Sequence, residues 1–560
     1  MSWHVTRRDI LLILILILLF GLFLQLDLSF RFTNSNGSDS LLGFRLGVGG
    51  RKGWRGNSGV HRLPDLTEEA REGGVTTGIS DAKVKWGDEG AQRTEVLAHA
   101  PGWTIFDDIY LLNGTFYIVT DHPSSIPLLR MMASTGREIW NDEESIKGRE
   151  PTERDMRIVF PSEAKKLWGH SASRVSGTTL LVNDPPQFLD HYYHFAAELL
   201  FGLWRTYSSL DPSIDAFGKT HLPAPARMMM PHVQAGKWND YAKMNSFLTR
   251  AIFPAMSYEY QNDFHDRTDT GRAYVFDRVV FADRAAAFRG PEFAKTWRTA
   301  AEAVAGFRGS RYWWAPVRRN LLEFVGSSAG VHEINLDEYG IGIDELDEDI
   351  SDVTALEEHN NVNDQNDAPQ FVKRDRDENR LTKREAAAVK NNKLATRNPG
   401  TPVITYVSRQ DWGRRMLLKK DHEGLVAALE GLEKKYGWEV NIVAMDKLSR
   451  DDQIRLAART TIMMGVHGNG LTHLIWMNNL NPRATVMEFF YPGGFALDYS
   501  FTSRALGIRH YGWWGNESFT APNTPPVAYP EGFQGNEIPL DGKAVADLIE
   551  QRLLVDRAGA

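Results

Sequence analysis

Residues 461–477 read TIMMGVHGNGLTHLIWM. A short apolar run, 461–466, stops at the closely spaced Gly465, Gly468 and Gly470, and an apolar helix is expected to open at 471–477. A run of this length bounded by turn residues predicts a strand covered on both faces. The same alternation continues on either side. Strands are expected at 402–407, 440–444, 485–490 and 508–513, and helices at 417–436, 450–459 and 495–506. Strands alternating with helices over short loops predict a doubly wound, mainly parallel sheet. Ligands of such a sheet sit beyond the carboxyl ends of its strands.

The rest of the chain fits a multidomain α/β protein. It has 560 residues, 42% hydrophobic and 24% charged, with 16 Trp, 17 Tyr and 28 Phe. This excludes a disordered chain or a fibre. The formal net charge of −8 argues against a nucleic-acid partner, which needs a basic face. With no cysteine, disulfides, thiol catalysis and Cys-ligated zinc are excluded.

The N-terminus predicts an address. Residues 1–9 read as a cytoplasmic tail ending in Arg7 and Arg8, and 10–26 as a short transmembrane signal anchor. A cleaved signal peptide is the competing reading, but Leu26, Asp27 and Leu28 make a poor cleavage site. Short spans sort to thin early-secretory membranes. The expectation is a single-pass type II protein of the Golgi or endoplasmic reticulum with a luminal body. Sequons at Asn36, Asn113 and Asn516 agree with that side of the membrane.

Residues 27–95, rich in Gly, Ser, Arg and Glu, read as a stem. An N-terminal α/β domain is expected over 96–334. Within it, 103–120 reads as a hairpin turning at Asn113-Gly114, 180–182 and 276–281 as strands, 188–208 as an amphipathic helix and 293–307 as a helix. Residues 335–400 are acidic, then Asn-rich, then of mixed charge, and read as a disordered insertion. The parallel α/β domain occupies 401–530, and 531–560 is a C-terminal extension with a terminal helix.

Three constellations carry chemistry. The first is Gly465 to His473. A strand leading through glycines into a helix N-terminus offers backbone N–H groups to a phosphate, although this is neither a Walker loop nor a dinucleotide fingerprint. The plain alternative is a tight turn without a ligand. The second is Ser408-Arg409-Gln410-Asp411-Trp412-Gly413-Arg414-Arg415, on the same expected rim. Arginine suits bidentate capture of a diphosphate; the alternative is a solvated basic loop. The third is Asp190-His191-Tyr192-Tyr193-His194-Phe195-Ala196-Ala197-Glu198. On a helix His191, His194 and Glu198 share a face. This is not the HExxH metal arrangement, so no metal is expected, and a His oriented by a carboxylate suits acid/base work. The alternative is a helix capped by Asp190 with its histidines hydrogen-bonded in the core.

Taken together, DHYYHFAAELLFGLWR (190–205), YVSRQDWGRR (406–415), MMGVHGNGLTHLIWM (463–477) and VMEFFYPGG (486–494), in this order, resemble glycosyltransferase family 61. That family includes plant β-1,2-xylosyltransferases and the extracellular O-GlcNAc transferase of eukaryotes. Asn469 stands where the family usually has Ala. The resemblance implies a GT-B-like fold, two Rossmann-like domains facing a cleft. It implies an inverting, metal-independent transfer from a UDP-sugar, xylose or GlcNAc first, to a glycan or glycoprotein, with no other cofactor. In that reading Arg409, Arg414 and, in reserve, Arg415 neutralise the diphosphate, with Gly468, Asn469, Gly470, His467, Thr472 and His473 completing the donor site. Glu488 would bond the ribose hydroxyls. His194 would be the base, with Asp190 and Glu198 as rivals and His191 orienting it. Two other classes stay open: a tethered glycan- or nucleotide-binding module without turnover, and a His/Glu metallohydrolase.

Overall fold

The computed structural model describes residues 92–169, 172–327 and 400–554. The expected membrane span, the stem up to 91 and the insertion up to 399 lie outside the described residues, as does Asn36. Among the described residues no helix is long and apolar enough to cross a membrane. What is described is a mixed α/β structure built on two sheets.

The first sheet contains β1 (Glu95–Ala100), β2 (Trp103–Leu112), β3 (Thr115–Val119), β4 (Met156–Val159), β5 (Ser173–Val182), β6 (Arg227–Met229), β7 (Ser257–Glu259) and β8 (Tyr274–Ala282). The β2–β3 hairpin turns at Asn113 and Gly114, with φ of 50° and 82°, the two positive angles that a tight hairpin turn asks for. The strand order is β4-β3-β2-β8-β5-β6-β7, with β1 on β2. The half made of β7, β6, β5 and β8 is parallel, whereas β2 runs antiparallel to β1, β3 and β8. The chain winds outward from β5 through β6 and β7, then crosses back to β8. The boundary between β5 and β8 is therefore a topological switch point. Val182 pairs with Ala282 there, so Asn183-Asp184 and Asp283-Arg284 leave the sheet side by side.

The second sheet contains β9 (Val403–Val407), β10 (Glu439–Val443), β11 (Ile462–Val466), β12 (Thr485–Phe489), β13 (Arg509–Trp514) and β14 (Glu517–Phe519), in the order β10-β9-β11-β12-β13-β14. Only β14 is antiparallel. Every residue of β9, β11 and β12 is buried, as their unbroken β-prone runs require. The helix Lys419–Tyr436 lays Leu425, Leu429 and Leu432 against the sheet and stops at Gly437, whose φ is 69°. The helix Arg450–Arg459 starts where the Ser449 side chain accepts from the amide of Asp452. The switch point of this sheet lies between β9 and β11.

Four expected elements differ. The helix at 192–208 is not amphipathic: it is π-helical over His194–Leu200, α-helical over Phe201–Ser208, and buried on nearly all sides. The helix expected at 293–307 is two helices, Pro291–Thr296 and Ala300–Gly306, broken at Trp297, whose φ is 54°. Asn469–Trp476 is a 3₁₀ helix, not an α-helix. The terminal helix Gly542–Leu554 is no extension, since Val545, Ile549 and Leu553 share a core with Leu425 and Leu429.

The two sheets are not independent. One apolar cluster runs from Phe195, Phe201 and Trp314 to Ile454, Leu474 and Trp476. The Trp314 indole donates to the carbonyl of Ile475 at 2.8 Å and stacks on Trp476, whose own indole donates to the Tyr192 hydroxyl at 2.9 Å.

Candidate active site

The two switch points meet. From the first sheet, β5 and β8 present Asp184 and Arg284, a buried pair joined by Arg284 Nε to Asp184 Oδ2 at 2.5 Å and by the Arg284 amide to Oδ1 at 2.8 Å. The helix after β5 carries His194 and Glu198. His194 Nδ1 lies 2.6 Å from Glu198 Oε2, while 19% of the His194 side chain remains exposed against 7% of Glu198. Glu198 also faces Arg284 Nη1 at 3.7 Å and Arg298 Nη1 at 3.5 Å. Burial alone would push the Glu198 carboxyl up, but His194, Arg298 and Arg284 outweigh it and hold it below the usual range. Glu198 therefore stays charged and fixes the His194 ring through Nδ1.

From the second sheet, the loops after β9 and β11 carry the remaining motifs. A Cβ on Gly468 would fall 2.3 Å from Arg409 Nη1, so the missing side chain is the space in which the Arg409 guanidinium lies. Gly465 and Gly470 have a different task. A Cβ on either would meet Val407, at 2.8 Å from its carbonyl oxygen and 2.7 Å from Cγ1. They let the turn pack onto β9. Arg415, with φ of 53°, directs Nη1 to the His467 carbonyl at 3.4 Å and lies over Phe533. Arg414 is exposed, and both arginines reach Gln534 Oε1, Arg415 through Nε at 2.8 Å and Arg414 through Nη1 at 3.4 Å. The inward arginine of the pair is thus Arg415, not Arg414.

Asp498 closes the arrangement. It pairs with Arg298 Nη1 at 2.8 Å, so one guanidinium spans Glu198 and Asp498. Burial raises the Asp498 carboxyl, but Arg298, His467 and His194 together draw it below its ordinary range. The site is a chain of alternating charge, Asp184–Arg284–Glu198–Arg298–Asp498, that joins both sheets.

Several expected donor ligands lie elsewhere. Glu488 is fully buried, and its two oxygens are taken by His467 Nδ1 and His510 Nε2, which leaves nothing for ribose hydroxyls. His473 is buried against Tyr192, its Nδ1 3.0 Å from the Gly470 carbonyl. Thr472 is buried and donates to Asn469 Oδ1. That oxygen also accepts from the amide of Tyr193, so Asn469, rather than the exposed Asp190, caps the helix that carries His194. His191 packs 4.9 Å from His194 ring to ring, and burial pushes its imidazole down to about 3. Asn113 and Asn516 are both exposed.

Asp184, Arg284, Arg298 and Asp498 were not anticipated from the sequence. The first two follow directly after buried strands, a signal the strand-end rule could have used. Arg298 and Asp498 carry none, because each lies near a helix boundary that only packing defines. Among the described residues, no group of three or more His, Asp or Glu side chains is arranged to hold a metal ion.

The profile of the family described as Glycosyltransferase 61 matches residues 192–486, more than half of the chain. The chain belongs to glycosyltransferase family 61. The family-61 match opens at the helix of His194 and ends just before Glu488. Asp498, Phe533 and Gln534 lie beyond it, on the C-terminal part of the chain that completes the site. A curated relative, the EGF domain-specific O-linked N-acetylglucosamine transferase of Drosophila melanogaster, is 32% identical over 110 residues. That match spans 20% of this chain and 19% of the relative.

Proposed function

We propose that this family-61 chain is a type II, membrane-anchored, inverting glycosyltransferase of GT-B architecture, acting in the Golgi or endoplasmic reticulum. It moves one sugar from a UDP-sugar to a hydroxyl of a glycan or glycoprotein. The observation that carries this reading is that the helix of the His194–Glu198 pair is joined to the glycine loop of the second sheet by the Tyr193–Asn469 bond and to Asp498 by Arg298. A base and a diphosphate-suited cradle on opposite sides of one site are what single displacement needs. The name of the fly relative favours UDP-GlcNAc as donor and a protein hydroxyl as acceptor; UDP-xylose is the second donor to test.

The chemistry follows from the groups present. His194 Nε2 accepts the proton of the acceptor hydroxyl as its oxygen bonds to the anomeric carbon. The bond from that carbon to the diphosphate oxygen breaks, and its electron pair leaves with UDP. Glu198 supports the imidazolium that forms, and Arg284 and Arg298 keep Glu198 in place. Arg409 and Arg415 offset the charge that gathers on the diphosphate, an effect of about 10²–10³ in rate for one donor at such a position.

The test is a donor screen on the full-length chain in detergent. It is incubated with a panel of UDP-sugars, with and without EDTA, while UDP release and transfer are followed. Release from one donor, indifferent to EDTA and lost in Arg409→Ala, is the expected result. A chain that binds no UDP would remove both phosphate loops from the reading.

A further inference from the structure

The Glu488 carboxyl is the most enclosed titratable group in the second sheet. It is 0% exposed and bridges two imidazoles, with Oε1 2.5 Å from His467 Nδ1 and Oε2 2.8 Å from His510 Nε2. His510 is itself buried, so only the His467 ring has a surface, 12% of its side chain, toward the site. That ring is fixed by Phe490, Tyr499 and Phe533, at centroid distances of 5.6, 5.6 and 5.4 Å. Its backbone carbonyl receives Arg415. Glu488 pairs in parallel register with Gly465 on one side and Gly512 on the other, two residues without side chains.

We propose that Glu488 and His510 are positioning residues that hold His467 in the tautomer carrying hydrogen on Nε2, where it donates to the diphosphate of the sugar donor. This rests on the donor-site reading above and adds a residue-level cause to it. The bridge has few consistent protonation patterns. Burial, with Arg415, Arg409 and Arg298 around the ring, outweighs the Asp498 carboxylate and disfavours an imidazolium at His467. Among the described residues no guanidinium or ammonium forms an ion pair with Glu488, and burial, with Asp498, outweighs Arg415 and drives the carboxyl toward its neutral form. A neutral carboxyl has one O–H donor and one acceptor oxygen. Two patterns satisfy it: the O–H goes to one imidazole and the other oxygen accepts from the second; in the proposed one the O–H goes to His467 Nδ1 and the other oxygen accepts from His510 Nε2–H. The remaining His467 hydrogen is then on Nε2. The opposite tautomer would aim a lone pair at phosphate oxygens.

The glutamine variant tests this, because a primary amide has the donor and acceptor of a neutral carboxyl and none of a carboxylate's charge. UDP affinity is measured by calorimetry on the full-length chain. His467→Ala and Glu488→Ala are each expected to weaken UDP binding about 10-fold or more, the loss of one charge-assisted hydrogen bond. The double variant should be no weaker than His467→Ala alone. Glu488→Gln should recover most of the affinity, to within about threefold of the unsubstituted chain, a small fraction of that one bond's worth. If Glu488→Ala does not fold, the comparison of Glu488→Gln with His467→Ala decides. Glu488→Gln as weak as His467→Ala would overturn the tautomer, and a further loss in the double variant would overturn the route through His467. An unsubstituted chain that binds no UDP would instead overturn the donor site itself.

Discussion

Asn469 Oδ1 accepts from the backbone amide of Tyr193 at 3.2 Å, so a side chain of the second sheet's glycine loop caps the helix of the first that carries His194. The first N–H groups of a helix have no partner inside it. Here that need is met across the site, and the base helix is registered against the donor loop by one residue. An alanine at this position could not make the bond.

Asn469→Ala should therefore lower stability by about 1 kcal/mol, the net value of a hydrogen bond with a cap-like role. Thermal or urea unfolding measures it. The variant should also transfer more slowly at unchanged UDP affinity, because the base helix, not the donor loop, loses its register. An unchanged unfolding midpoint would show that the contact contributes nothing.

His194→Ala should cut transfer by about 10²–10⁴-fold, the usual contribution of a general base. UDP affinity should stay near that of the unsubstituted chain, because the arginines and glycines of the donor side are on the other sheet. Loss of transfer and UDP binding together would place His194 in folding or donor capture instead.

Gly468→Ala forces the Arg409 guanidinium to move, since the new methyl would overlap Nη1. The expected outcome is a folded protein with UDP affinity reduced as far as in Arg409→Ala. Calorimetry on the two variants and their combination checks this. A combined loss equal to either alone identifies one shared cause, and an additive loss separates them.

Arg298→Met removes the cation between Glu198 and Asp498. A buried pair broken on one side costs about 3–5 kcal/mol, because an uncompensated charge is left behind. Arg298→Met with Asp498→Leu should recover part of that stability. Chemical denaturation of both variants gives the comparison, and equal losses would deny the pairing its importance.

Acid should destabilise the fold. Burial pushes His99 and His473 down to about 4, and His191, His467 and His510 down to about 3. Between roughly pH 4 and 6.5 the unfolded chain binds protons at these imidazoles and the folded chain does not, so stability falls as the pH drops. Burial, with Asp184 nearby, raises the Asp283 carboxyl to about 6, which works the other way over about pH 4 to 6. Burial likewise raises the Glu488, Asp190, Asp240 and Glu302 carboxyls, which act with Asp283, but these five are outnumbered by the five imidazoles together with the Glu198 and Asp498 carboxyls held below their usual range. A melting temperature that falls from about pH 7 to about pH 5 is expected; one that rises would contradict their burial in neutral form.

Much of the fold was legible in the sequence. The strands β9 and β11 are largely apolar runs between turn residues, the pattern expected of strands buried on both faces. The Asn113-Gly114 hairpin and the Ser449 and Gly437 helix limits follow from local backbone chemistry in the same way. His194 with Glu198 was readable because four residues on a helix is one turn. What the sequence could not supply was partnership at a distance. Whether Glu488 met a ribose or two histidines depended on its neighbours across the sheet, where His467 and His510 each lie two residues from one of its register partners, Gly465 and Gly512. Whether Arg414 or Arg415 turned inward depended on one left-handed backbone angle. Arg298 and Asp498 lie 200 residues apart in sequence and meet only because two switch points face each other. Local periodicity records the surface each element buries; it does not record against what, and that tertiary choice is what assembled the site.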